Sequence, residues 1–198
     1  MTFGQRFARF VTDAVVRAPF LWRVFRRSMT RNFDRLAPEW DATRVSRERL
    51  APIIAALDAL PVSPRRALDV GTGTGAVARL LAERWPDAEV TGVDVSPGMV
   101  AEARRLGSER YELGDASKLR YDDGTFDLVT LNNMIPFFGE LARVTAPGGH
   151  VAISFSMGAS TPIWVPPQRV RAELERRGFA HVADFSVGTG LSVLARKA

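Results

Sequence analysis

Three features of the sequence predict an α/β chain whose sheet is mostly parallel and covered by helices on both faces. Short β-branched runs alternate with helix-length segments after Arg66, and a glycine-rich turn leads from one such run into a helix. The last two runs are joined by a turn too short for a crossover. The runs are 67–70, 89–95, 110–113, 126–131, 151–155, 181–187 and 191–196, so a seven-stranded sheet is expected. Gly188-Thr189-Gly190 separates the last two, and so tight a link joins only antiparallel strands, because a parallel crossover needs about a dozen residues. One antiparallel strand near the C-terminus therefore accompanies an otherwise parallel sheet. A helix over 167–177, stopped by Gly178, precedes that hairpin.

Ahead of the first strand the pattern is helical. Phe3, Phe7, Phe10, Val11, Ala14, Val15, Ala18, Leu21, Trp22, Phe25 and Met29 recur at three-to-four spacing, with Arg6, Arg9, Arg23, Arg26 and Arg27 mostly opposite. Pro19 lacks an N–H and clashes with the preceding turn, so two helices or one kinked helix are expected there. A further helix is expected over 47–60, ending at Pro61 and Pro64.

A chain of 198 residues with 46% hydrophobic content suits one well-buried core rather than two domains. The expected division is a basic amphipathic arm, 1–32, and a single domain, 33–198. Asp, Glu or Arg interrupts every apolar run before the ~18 residues of a spanning helix. Asp13 and Arg17 likewise break the only candidate for a signal peptide, so a cytoplasmic location is the default expectation. With no cysteine there is no disulfide, no thiolate metal site and no cysteine nucleophile, and no metal is expected. Thirteen arginines face six acids in residues 1–66, whereas the remainder carries a net charge of −2. The arm's positive field suits nucleic acid, anionic lipid or an acidic substrate alike, and nothing in the sequence speaks to oligomeric state.

The chemistry concentrates where strands end. Ala67-Leu68-Asp69-Val70 runs into Gly71-Thr72-Gly73-Thr74-Gly75 and a helix from Ala76. Glycines without Cβ atoms let backbone approach a ligand, and the helix N-terminus adds a positive dipole end. Taken alone the turn is ambiguous, because Gly71, Gly73 and Ala76 also satisfy the dinucleotide pattern. Asp94 ends the next strand, where a carboxylate can accept both hydroxyl hydrogens of an adenosine ribose. Asp115 follows the third strand at the same sheet edge and can accept from an adenine amino group.

These residues fall in an order that resembles the class I S-adenosyl-L-methionine (SAM)-dependent methyltransferases, particularly the small-molecule branch of ubiquinone and menaquinone biosynthesis. Asp69-x-Gly71-x-Gly73-x-Gly75 matches the family's first motif, and Gly92-Val93-Asp94-Val95-Ser96-Pro97-Gly98-Met99 its second-strand end. Gly114-Asp115-Ala116, Asp123-Gly124-Thr125-Phe126-Asp127-Leu128-Val129 and Arg143-Val144-x-x-Pro147-Gly148-Gly149 then follow in the family's order. The likeness is clear over about residues 33–155 and looser over the last two strands. It implies a Rossmann-like fold, SAM as cofactor and a small, conceivably lipophilic, acceptor. It further implies that Asp69 and the glycine turn hold the methionine moiety, and Asp94 the ribose. Val95 and Met99 would flank adenine, with Asp115 and the Ala116 backbone at its edge, and Asn132 would lie near the sulfonium. Residues 32–41 resemble the segment that lies beside SAM in the family, so the arm before them should reach the acceptor side or rest on lipid.

The chain departs from the family between Asn133 and Pro147, where relatives carry a longer loop and helix, so acceptor contacts there are absent or moved. The loop 156–167 is an alternative acceptor wall or a packed connector. Asn132-Asn133-Met134 lacks the prolines of the Asn-Pro-Pro-aromatic motif, which argues against a nucleic-acid base as acceptor. His150 and His181 begin strands and lack triad partners, so no catalytic residue is nominated. Two other readings compete: an NAD-dependent dehydrogenase, which the later motifs disfavour, and a catalytically silent SAM-binding or nucleic-acid-binding regulatory module.

Overall fold

A computed structural model describes residues 3–198, with side chains from residue 4 onward, so Met1, Thr2 and the Phe3 side chain of the expected arm lie outside the described residues. The arm folds as α1 (Phe3–Arg17), a 3-10 turn (Pro19–Leu21) and α2 (Trp22–Arg44). Pro19 opens the 3-10 turn, so the helical stripe is broken where its missing N–H requires. The division expected after residue 32 falls inside α2, which continues through Pro38 to Arg44. Helix α3 (Arg47–Asp58) is capped by Ser46, whose hydroxyl accepts from the Arg49 amide at 3.3 Å.

The remaining chain alternates as expected. Strand β1 (Arg66–Val70) leads to α4 (Ala76–Arg84), β2 (Glu89–Asp94) to α5 (Pro97–Leu106), and β3 (Arg110–Leu113) to β4 (Phe126–Asn132). A short α6 (Phe138–Val144) precedes β5 (Thr145–Phe155), and α7 (Pro167–Glu175) precedes β6 (Phe179–Val187) and β7 (Gly190–Lys197). The strands form one seven-stranded sheet in the order β3-β2-β1-β4-β5-β7-β6. All neighbours pair in parallel except β7, which runs antiparallel to both β5 and β6. The fold is the expected Rossmann-like one.

Successive side chains point to opposite faces, so each strand feeds two cores. Leu68, Val70, Val129, Leu131, Val151 and Ile153 share one core with Val11, Val15, Trp22 and Met29 of the arm and with α6 and α7. Ala67, Val90, Leu128, Ala152 and Leu194 meet α3, α4 and α5 on the other face. The arm is thus part of the protein's interior through Val11 and Val15, which are almost fully buried. From β1 the chain steps outward to β2 and β3, then returns to the other side of β1 as β4. This reversal of strand order between β1 and β4 opens a crevice at the C-terminal ends of these strands, where open α/β sheets bind ligands.

Candidate functional site

Every strand-end residue singled out from the sequence gathers at this edge. The glycine turn is pinned to β2, because the amides of Gly71 and Thr72 both donate to the Val93 carbonyl, at 2.8 and 3.0 Å. Gly71, Gly73 and Gly75 take φ values of +71°, +56° and +85°, a region that residues with a Cβ rarely adopt. Their surroundings differ. A Cβ on Gly75 would lie 2.5 Å from the Tyr111 hydroxyl, whereas one on Gly73 would meet nothing nearer than the Trp40 Nε1 at 3.8 Å. Gly75 serves packing, and Gly73 leaves its backbone open to the crevice.

Asp69 lies beneath the turn and is only 1% exposed. Its carboxylate accepts from the Thr72 hydroxyl at 2.7 Å and the Thr130 hydroxyl at 2.9 Å, which ties β1 to the turn and to β4. Burial pushes its pKa up to about 6 against the pull of those two hydrogen bonds. Asp94, partly exposed, accepts from the Gly73 amide through Oδ2 and from the Ser96 amide through Oδ1, both at 2.9 Å. Loss of surrounding water raises its pKa, and the backbone donors at Ser96, Gly73 and Val95 oppose that rise. A carboxylate has about four lone-pair sites, so Asp94 keeps acceptor capacity for a ligand.

Helix α2 covers this side of the crevice. Asp34 accepts from the Ser96 hydroxyl at 2.6 Å and the Gly98 amide at 3.0 Å, and Asp41 accepts from the Thr74 hydroxyl at 2.7 Å. Arg79 of α4 pairs with Asp41 at 3.3 Å. Trp40 packs edge-on against Phe33, with the Arg44 guanidinium 5.0 Å from its ring centre. The segment expected beside the site therefore lies there, and its acids clamp the loops after β1 and β2.

Asp115, at the adjoining strand end, is held differently. The Trp22 indole N–H donates to Oδ1 at 2.9 Å, the Arg26 guanidinium pairs with Oδ2 at 2.8 Å, and the Ser117 amide and hydroxyl donate at 2.9 and 2.7 Å. Burial alone would raise this carboxyl, but donors from Arg26, Ser117 and Trp22 outweigh it and hold the pKa below the ordinary value. Ala116 and Met99 are buried, and Val95 packs against the same apolar cluster as Trp22. Asn132 ends β4 with a buried Oδ1 that has no hydrogen-bond partner. Beyond it, Asn133 at φ 56° joins β4 to β5: its amide group exchanges hydrogen bonds with the Ser156 hydroxyl and amide at 2.9 and 2.8 Å.

Neither histidine reaches the crevice. His150 pairs in register with Leu128 near the start of β4, at the opposite end of the sheet, where burial and Arg196 lower its pKa. His181 bonds Asp184 on β6 at 2.8 Å. The loop after β5 is tied to the arm, with Arg9 donating to the carbonyls of Ala159 and Thr161 at 2.6 Å each, and Trp164 packs on Phe155. Trp22 and Arg26 were not expected at the site, whereas Asp34 and Asp41 fall in the segment 32–41 expected beside it. Trp22 offered one signal, since an indole placed on a buried stripe needs an acceptor for its N–H.

Residues 67–149, which span the glycine turn and all three strand-end acids, match the family described as a methyltransferase domain. Residues 67–149 are thus a methyltransferase domain. The demethylmenaquinone methyltransferase of Thermus thermophilus is 43% identical over 107 residues, covering 48% of this chain and 49% of that protein. The malonyl-[acyl-carrier protein] O-methyltransferase of Halorhodospira halophila is 37% identical over 138 residues, 64% of this chain and 47% of the relative. The chain spans about half the length of these curated relatives. Among solved structures, a SAM-dependent methyltransferase from Aquifex aeolicus superposes with a TM-score of 0.64 at 22% identity, covering 85% of this chain and 98% of that one. The domain match decides against the dehydrogenase reading.

Proposed function

We propose that this chain is an enzyme that transfers the methyl group of SAM to a small, lipophilic acceptor. The observation that carries the reading is Asp94: two backbone amides hold its carboxylate at the crevice and leave acceptor capacity for the two hydroxyls of a ribose. Asn132 supplies a second test of fit. A buried acceptor left unpaired is costly, and the amino group of a methionine moiety would satisfy its Oδ1. In this reading Asp69 positions the Gly71, Gly73 and Gly75 turn through Thr72 rather than touching the cofactor. Val95 and Met99 shape the adenine side, where Asp115 and the Ala116 backbone meet the ring edge.

SAM supplies an electrophilic methyl group on a positively charged sulfur. The protein's share is then to align an acceptor in line with that bond and to exclude water. No histidine stands at the crevice, which suits an acidic carbon, a carboxylate or an amine better than an alcohol that must first lose a proton. The arm supports a lipophilic acceptor. Phe10, Phe20 and Val24 are 61%, 71% and 70% exposed, and residues 1–31 carry seven arginines against one acid, the pattern of a helix that rests on an anionic lipid surface. No helix among the described residues is long and apolar enough to cross a membrane.

The test is a methyl-transfer screen with radiolabelled SAM against lipid-like quinols, amines, carboxylates and RNA, with and without anionic vesicles. Transfer to the lipid-like acceptors, enhanced by vesicles, is expected. Transfer confined to RNA, or none to any acceptor despite SAM binding, contradicts the proposal.

A further inference from the structure

The adenine side of this crevice is filled by the chain itself. Trp22 is 6% exposed, its ring stands edge-on to Phe137 at 5.7 Å, and it belongs to the same apolar cluster as Val93 and Ala116. Its N–H takes Oδ1 of Asp115 while Arg26 takes Oδ2. An indole is a flat bicyclic ring with one edge donor, and adenine is a flat bicyclic ring with an amino donor on its edge. The two are matched in shape and in what they ask of a carboxylate. Met134 occupies the turn side in the same manner, with its side chain so close to Gly71 that an added Cβ would overlap the Met134 Cγ.

We propose that Trp22 and Arg26 form an autoinhibitory latch, in which the indole competes with the adenine ring for Asp115 and the arm must release before the cofactor seats. This rests on the SAM reading above. Two further features of the arm favour release at this point. The latch residues sit in the first two turns of α2, directly after the 3-10 turn at Pro19–Leu21 and away from the Asp34 and Asp41 clamps farther along the helix. The Arg26 side chain is 48% exposed, which leaves its ion pair accessible to water and weak enough to exchange. When a competent state is only partly populated, apparent affinity falls by that fraction, so weakening the latch must tighten SAM binding.

The experiment is calorimetric titration of SAM into the full chain, the Trp22→Phe variant and the Arg26→Ala variant, each checked for an unchanged thermal unfolding profile. Trp22→Phe keeps a ring in the core but removes the donor. It is expected to bind SAM roughly threefold tighter or more, and Arg26→Ala about twofold tighter. Adenosine alone, which carries the adenine without the methionine moiety, should gain by the same factors. Binding by the variants when the full chain shows none also supports the latch. Equal or weaker SAM affinity in Trp22→Phe overturns the latch and leaves the SAM reading standing. No SAM binding by any of the three proteins overturns both.

Discussion

Asp94 and Asp115 end neighbouring strands and carry the same carboxylate, yet they are held by different kinds of donor. Asp94 is bonded by the backbone amides of Gly73 and Ser96, groups that arrive in place whenever β1, β2 and their turns form. Asp115 takes part of its support from Trp22 and Arg26, about ninety residues away on a helix of the arm. The pKa shifts follow the same division, raised at Asp94 by loss of water and lowered at Asp115 chiefly because Arg26 and its other donors outweigh burial. Backbone donors make one half of the crevice permanent, and side-chain donors make the other half exchangeable. Under the proposed reading this sets a fixed ribose site beside a guarded adenine site.

The sharpest way to break the comparison is at the permanent half. Gly73→Val places a branched Cβ where the crevice is open and no protein atom lies within 3.8 Å, so it should abolish SAM binding in a chain that still folds. The strained φ of +56° should lower stability by only ~1–2 kcal/mol. Calorimetry with a parallel unfolding curve checks both, and retained SAM affinity would remove Gly73 from the site. Gly75→Val, by contrast, collides with Tyr111 and should fail in folding before it fails in binding.

Asp69 sharpens the comparison from below. Its pKa in the folded protein is about 6, above the ordinary 3.8, so the fold favours the protonated form. The associated stability is fully present below about pH 4, declines as pH rises, and is lost above about pH 6. Asp69→Asn removes that ionisation while the Thr72 and Thr130 hydroxyls reorient to bond the amide. Urea unfolding should show a gain of up to about 3 kcal/mol above pH 6 and little change near pH 4. An unaltered pH dependence would mean that Asp69 does not titrate in this range.

The exchangeable half should respond least. Arg26 is about half exposed, so Arg26→Ala is expected to lower stability by less than about 1 kcal/mol, and the loss should shrink as salt is added. Unfolding curves at low and high ionic strength measure it. A large, salt-independent loss would place Arg26 among the permanent supports.

Much of the site was legible because its residues obey local rules. Positive φ at Gly71, Gly73 and Gly75 demands glycine, and acids placed where a strand ends must face the sheet edge wherever the helices pack. The seven strands followed from alternation and the antiparallel β7 from a three-residue turn. Strand β5 begins earlier than expected, at Thr145 rather than 151, because Thr145 pairs with Phe126 across an irregularity that absorbs Pro147-Gly148-Gly149. Hydrophobic periodicity does not register such a detour. The cover was less legible for a different reason. Trp22 and Arg26 read as members of an amphipathic stripe, and only the packing of α2 across the sheet brings them to Asp115. Pro38 lies inside α2, where local rules place a break and the packed segment tolerates the proline.

The claim on which the rest depends is that Asp94 anchors the ribose of SAM. Titration of SAM into the full chain and into Asp94→Ala at neutral pH tests it directly. The charge-assisted hydrogen bonds to the two ribose hydroxyls, together worth about 1.5–3 kcal/mol, should be lost, so affinity should fall at least about tenfold. Equal affinity in the two proteins would place the ribose elsewhere and contradict the assignment of this crevice as the cofactor site.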